Sequence, residues 1–100
     1  MGGVSSPPLI ESPDLYFTRV EGARLMPLDR ITPTKPAHLQ PDSVDRAERL
    51  MRAAAAGEHA RRGPITVRAD GEGYVIVDGN ATFAVADRHG WSSILVLEEG

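Results

Sequence analysis

Residues 73–97 read GYVIVDGNATFAVADRHGWSSILVL and contain, in order, the signals of a strand, a turn, a helix and a second strand. Tyr74–Val77 is a nearly unbroken apolar run, which suits a strand buried on both faces. Asp78-Gly79 ends it, Asn80 is placed to cap a helix reaching about His89, and Gly90 stops that helix. Trp91, just past the glycine, is positioned to fold back on Val85 or Ala86. Ile94–Leu97 is the last buried strand. A strand–helix–strand unit this compact predicts that its two strands run parallel.

Upstream, Pro64–Ala69 alternates like a strand, with Ile65 and Val67 on one face, and Asp70-Gly71-Glu72-Gly73 supplies hairpin chemistry. Asp42–Ala56 is the clearest helix, with Asp42 or Ser43 as its cap. Val44, Ala47, Leu50, Met51 and Ala54 recur at helical spacing and form its apolar face. Asp45–Arg49 and Glu48–Arg52 are candidate i,i+4 pairs on the other face. Thr32–Pro41 holds three prolines and reads as an extended loop. Asp14–Glu21 and Arg24–Ile31 read as edge strands, the second tolerating Pro27 for that reason. Residues 1–13 read as a flexible lead-in in which Leu9 and Ile10 could dock on the domain. The expected architecture is one α/β (α+β) domain over 14–100, a small mixed sheet with two main helices.

Composition narrows the function classes. The chain has 100 residues, 41% of them hydrophobic and 25% charged, with a net charge of −3, so a strong sequence-independent grip on DNA is not expected. Nucleotide binding stays open, because local amides and one or two cations suffice for it. Cysteine is absent, which excludes thiolate chemistry and disulfides. No apolar run approaches membrane-spanning length and no signal-peptide plan is present, so the expected location is cytoplasmic, with no membrane partner. Met1-Gly2 with Ser6 fits a myristoylation pattern, although a start-site or cloning remnant explains it as well.

The chemistry concentrates at Asp78-Gly79-Asn80-Ala81-Thr82. A turn joining a strand to a helix N-terminus presents unpaired amides and the positive end of the helix dipole, which favour an anion. Gly79 permits close backbone approach, Thr82 adds a hydroxyl, and Asp78 suits Mg²⁺ or a ribose hydroxyl. The plainer alternative is a tight turn followed by a cap. His38, His59 and His89 lack metal-ligand spacing and read as structural.

The order of motifs resembles the ParB-like nuclease domain of the ParB/sulfiredoxin superfamily over about residues 24–98. The residues that carry it are Leu25–Pro33 (LMPLDRITP), Gly63–Val67 (GPITV), Gly73–Asn80 (GYVIVDGN) and the closing helix-Gly90-Trp91-strand. In that comparison Gly79 matches the motif glycine, and Asn80 stands where sulfiredoxins have their Cys and ParB a Glu. Ala81 and Thr82 replace the basic pair that relatives direct at phosphates. The resemblance therefore rules out sulfiredoxin chemistry and leaves an amide cradle short of positive charge, which Arg68, Arg62 or Lys35 could supply. It also places Asp29 near the site as a metal or base partner, against the plainer reading of a surface turn.

Two functions from different classes follow. One is nucleotide or phosphate binding by Asp78–Thr82, with weak nuclease or phosphohydrolase activity as an extension and no catalytic residue assigned. The other is a degenerate, non-catalytic interaction module that partners another protein or a second copy of itself. The sequence fixes neither nucleotide nor metal, and a nucleotide with Mg²⁺ is the ligand to test. A full role in chromosome segregation is not expected, since no helix-turn-helix follows. Gly79→Val is the substitution the sequence suggests for separating binding from folding.

Overall fold

A computed structural model describes residues 7–99, so the Met1-Gly2 pattern lies outside the described residues. Five strands form one mixed sheet: β1 (Arg24–Pro27), β2 (Ile31–Thr32), β3 (Ile65–Asp70), β4 (Gly73–Asp78) and β5 (Ser93–Glu98), in the order β1-β5-β3-β4-β2. The helices are α1 (Pro13–Tyr16), α2 (Pro41–Ala55) and α3 (Asn80–Arg88), with short 3₁₀ turns at Leu28–Arg30 and Ala37–Leu39. Among the described residues, no helix is long and apolar enough to cross a membrane.

The sheet is rolled, and chain connectivity requires it. Strands β1 and β2 lie at opposite edges, yet only Leu28–Arg30 joins them. A flat sheet would set those edges about 19 Å apart, whereas four backbone steps span at most about 14 Å. The roll brings Arg24 on β1 close to β4, two strands beyond its ladder partner β5. Its guanidinium stands 5.8 Å from the centre of the Tyr74 ring on β4 and also pairs with Glu98 at 3.0 Å.

Several sequence expectations are corrected. Asp14–Glu21 is not a strand: Pro13 starts a helical turn, closed by the Phe17 amide donating to the Pro13 carbonyl, and Tyr16 and Phe17 enter the core. Arg24–Ile31 divides into β1, a 3₁₀ turn and β2: the Leu28 amide makes the last ladder bond to β5, donating to the Ser92 carbonyl at 3.0 Å, and Leu28–Arg30 then turn the chain into β2. The loop 32–41 contains a 3₁₀ turn at Ala37–Leu39, and its Thr32 belongs to β2. Helix α2 begins at Pro41 behind Gln40, without a side-chain cap, so neither Asp42 nor Ser43 caps it. Strand β4 is covered on one side only, with Ile76 buried and Val77 42% exposed. Strands β4 and β5 do not run parallel. Strand β3 lies between them, antiparallel to β4 and parallel to β5. Nine helical residues reach about 13 Å, enough to carry the chain sideways across two strand spacings of about 5 Å each.

The apolar face of α2 is as read, with Val44, Ala47, Met51 and Ala54 buried and Leu50 half-buried. Gly90, at φ +72°, closes α3 as expected. The Trp91 amide donates to the Ala86 carbonyl at 3.0 Å and the Gly90 amide to Asp87 at 3.1 Å, the double bond of a left-handed helix end. Trp91 is buried, and its indole N–H donates to the Leu9 carbonyl at 2.9 Å. Leu9 itself is 5% exposed, while Ile10 points to solvent at 64%.

Glu48 ties α2 to α3. It accepts hydrogen bonds from Arg52, Arg88 and His89, at 3.0, 3.0 and 2.9 Å. Because the Leu9 amide donates to His89 Nδ1 at 3.3 Å, the ring proton sits on Nε2 and points at Glu48. Burial pushes the Glu48 carboxyl pKa up, but these donors outweigh it and hold the value down to about 2. Asp45 pairs with Arg88 rather than with Arg49.

Candidate functional site

Asp78 ends strand β4 opposite Thr66 at the start of β3, and Gly79 turns the chain into α3 at φ +111°, ψ +23°. A Cβ at position 79 would stand 2.6 Å from Ile65 Cγ2 and 3.3 Å from Ile65 Cα, so the turn lies directly on β3. Gly79 is the N-cap residue and no side chain caps the helix. The Phe83 amide takes the Gly79 carbonyl at 2.9 Å, while the Asn80, Ala81 and Thr82 amides have no main-chain partner among the described residues.

Asn80 does not cap α3, contrary to its reading as a cap. Its side chain points away and staples the proline-rich loop. Oδ1 accepts from the Thr34 and Lys35 amides at 2.8 and 3.1 Å, and Nδ2 donates to Thr34 Oγ1 at 3.0 Å. The Thr34 hydroxyl then donates to the Ile76 carbonyl at 3.0 Å. These bonds place Lys35 beside the helix N-terminus and satisfy the buried amide of Asn80.

The positive charge missing from positions 81 and 82 arrives from elsewhere in the chain. Arg62, half-buried ahead of β3, donates through Nη1 to the Thr82 hydroxyl. Burial pushes its guanidinium pKa down, and arginine stays charged at neutral pH regardless. Neither Arg62 nor Lys35 has an ion-pair partner among the described residues. Both line a hollow of about 370 Å³, together with Gln40, Ser43, Asp78 and the first turn of α3. Arg62, Asp78, Gly79 and Thr82 also line a second hollow of about 280 Å³, so the guanidinium stands between the two. Asp78 contributes the one carboxylate among the described lining residues of either hollow.

The structure therefore brings Asp78, Gly79, Asn80, Ala81 and Thr82 to one opening and adds Arg62 and Lys35. Arg68 and Asp29 are not brought there. Arg68 is exposed on β3 and paired in register with Val75, outside both hollows. Asp29 sits in the 3₁₀ turn after β1 and lines a separate depression with Phe83, Asp87 and Trp91. Gly79→Val is also no clean probe of binding, since the added carbons would collide with Ile65. Gln40 and Thr34 were invisible as site residues. The only sequence signal was the run of prolines, which stiffens the loop that carries them. His38 and His59 are exposed.

No protein-family model matches the chain, and no curated protein matches it. Solved structures do. The fold is similar to that of SbnI from Staphylococcus aureus, at a TM-score of 0.62 and 21% identity over 80% of this chain and 31% of that one. It is similar to sulfiredoxin from Arabidopsis thaliana, at a TM-score of 0.56 and 16% identity, covering 77% of this chain and 83% of that one. It is also similar to the chromosome-partitioning protein ParB from Caulobacter crescentus complexed with CTP-gamma-S, at a TM-score of 0.52 and 18% identity, covering 78% and 44%. The chain thus spans about a third of SbnI and under half of ParB as solved. The expected mixed α+β architecture of the ParB/sulfiredoxin type is the fold found.

Proposed function

We propose that this chain, with its ParB/sulfiredoxin fold, binds the phosphate groups of a nucleotide or small phosphate ester at the N-terminus of α3. The observation that carries the reading is the convergence of three unpaired amides with Arg62 and Lys35 on one hollow of about 370 Å³. Phosphate oxygens would take the amides of Asn80, Ala81 and Thr82. The helix dipole favours their charge, and Arg62 offers the planar donor fork that suits a phosphate. The ParB neighbour's complex with CTP-gamma-S supports a nucleotide as the first ligand to test.

Asp78 is placed to share a Mg²⁺ ion with bound phosphate oxygens, the ordinary way such an ion is held. With one carboxylate on the hollow, binding rather than hydrolysis is the function the lining supports. The test is a thermal-shift and calorimetry screen of CTP, ATP, GTP and inorganic triphosphate, with and without Mg²⁺. A ligand at a hundred times its Kd stabilises by about 2.7 kcal/mol, which moves the melting temperature of a domain this size on the order of 10 °C. Arg62→Ala should remove most of that shift. The reading fails if the wild type shows no shift with any of the four.

A further inference from the structure

The segment 59–64, which carries Arg62, is tied to the rest of the molecule by very little main-chain bonding. Within it, among the described residues, Arg62 alone makes backbone hydrogen bonds outside helices and strands. Both go to one place. The Arg62 amide donates to the Tyr16 carbonyl at 2.9 Å, and the Thr18 amide donates to the Arg62 carbonyl at 2.8 Å, giving an isolated parallel bridge between Phe17 and Arg62.

The segment on the other side of that bridge is firmly held. Tyr16 and Phe17 are each 1% exposed. The Tyr16 hydroxyl donates to the Ile10 carbonyl at 2.7 Å, and its ring lies 5.2 Å from that of Trp91. Leu9 is buried beneath the same tryptophan's N–H. A continuous set of contacts therefore runs from Leu9 and Trp91 through Tyr16 and Phe17 to Arg62, and from Arg62 to Thr82 in the first turn of α3.

We infer that residues 9–18 form a positioning strap for the anion site, with the Phe17–Arg62 bridge aiming the Arg62 guanidinium at the N-terminus of α3. The inference rests on the reading of that N-terminus as an anion site. A long, flexible side chain on a weakly tied loop loses rotamer and backbone freedom when it engages a ligand. Fixing its main chain in advance removes part of that loss. By the reciprocity of coupled equilibria, a ligand that engages Arg62 must in turn tighten the bridge.

The experiment is a double-mutant cycle read by titration calorimetry with inorganic triphosphate. Thr18→Pro deletes the amide that bonds Arg62, at an exposed position whose preceding residue, Phe17, has the extended φ −119°, ψ 147° that proline accepts on its N-terminal side. The expected result is a weakening of about three- to tenfold by Thr18→Pro in the wild-type background. In the Arg62→Ala background, Thr18→Pro should change affinity by less than about twofold, because the strap acts through that side chain. A general structural effect would weaken binding equally in both backgrounds and would overturn the inference, as would unchanged affinity in Thr18→Pro alone. Should Thr18→Pro not fold, hydrogen exchange on the wild type decides. Triphosphate should slow exchange at the Arg62 and Thr18 amides, and unchanged rates with ligand bound overturn the strap. Absence of triphosphate binding by the wild type, or full affinity in Arg62→Ala, overturns the anion-site reading itself and the strap with it.

Discussion

Adding one methyl group at position 79 would force a side chain into φ +111° and place its carbon 2.6 Å from Ile65 Cγ2. The left-handed conformation costs about 1–2 kcal/mol for an L-residue, and overpacking adds about 1–3 kcal/mol. Gly79→Ala is therefore expected to destabilise by about 2–5 kcal/mol, measured as a lower urea midpoint. The adjacent Asn80 faces the opposite way, and its substitutions separate folding from binding. Asn80→Ala leaves the Thr34 and Lys35 amides unpaired and should cost about 2 kcal/mol. Asn80→Asp keeps both acceptor bonds and adds a negative charge that suits the empty helix end, so its stability loss should be smaller. The same charge repels phosphate, and triphosphate affinity should fall at least tenfold in calorimetry. The DGNAT stretch singled out in the sequence lines the hollow of the candidate site. Asn80's true partners did not show, because they lie 46 and 45 residues away in a loop without periodic signal.

Helices α2 and α3 are joined by charge as well as by packing, and this gives stability a pH dependence. The Glu48 carboxyl is held at about 2, below its unfolded value of 4.5, so its contribution is fully present above about pH 4.5. It is lost as pH falls from there towards 2. With solvent screening at the half-exposed Arg88, the loss should be about 2 kcal/mol. Urea unfolding at pH 7 and pH 2.5 measures it, and Glu48→Gln should flatten that particular slope. The strap has its own test of strength: Leu9→Ala should cost about 2–3 kcal/mol, despite lying near the chain start. At this scale legibility followed periodicity. Helix α2 shows its buried face in sequence, because its apolar positions repeat every three or four residues. The direction of β5 relative to β4 did not show, since strand direction depends on which neighbour each strand pairs with. The turn at Pro13–Tyr16 was hidden by aromatic residues that favour strands in isolation and here fill a core.

For the molecule as a whole, the lining of the larger of the two site hollows sets what a phosphate compound placed there would meet. Among the described residues, Val77 and Ala81 are its apolar lining and no aromatic ring borders it, so a nucleobase would find no stacking partner among them. Affinity should reside in the phosphates: CTP, GTP and inorganic triphosphate should bind within about tenfold of one another in calorimetry. A larger preference for one nucleotide would require a base contact outside this hollow. The mixed sheet with helices was legible as a fold class, from the order of strand and helix signals. Its rolled form was not, because it depends on three residues joining opposite edges. That short link has a consequence for behaviour in concentrated solution. One edge strand has four residues and ends in a proline, and the other has two. Neither offers a long flat row of free amides and carbonyls to a neighbouring molecule, so edge-to-edge growth into fibrils has no template in the folded state.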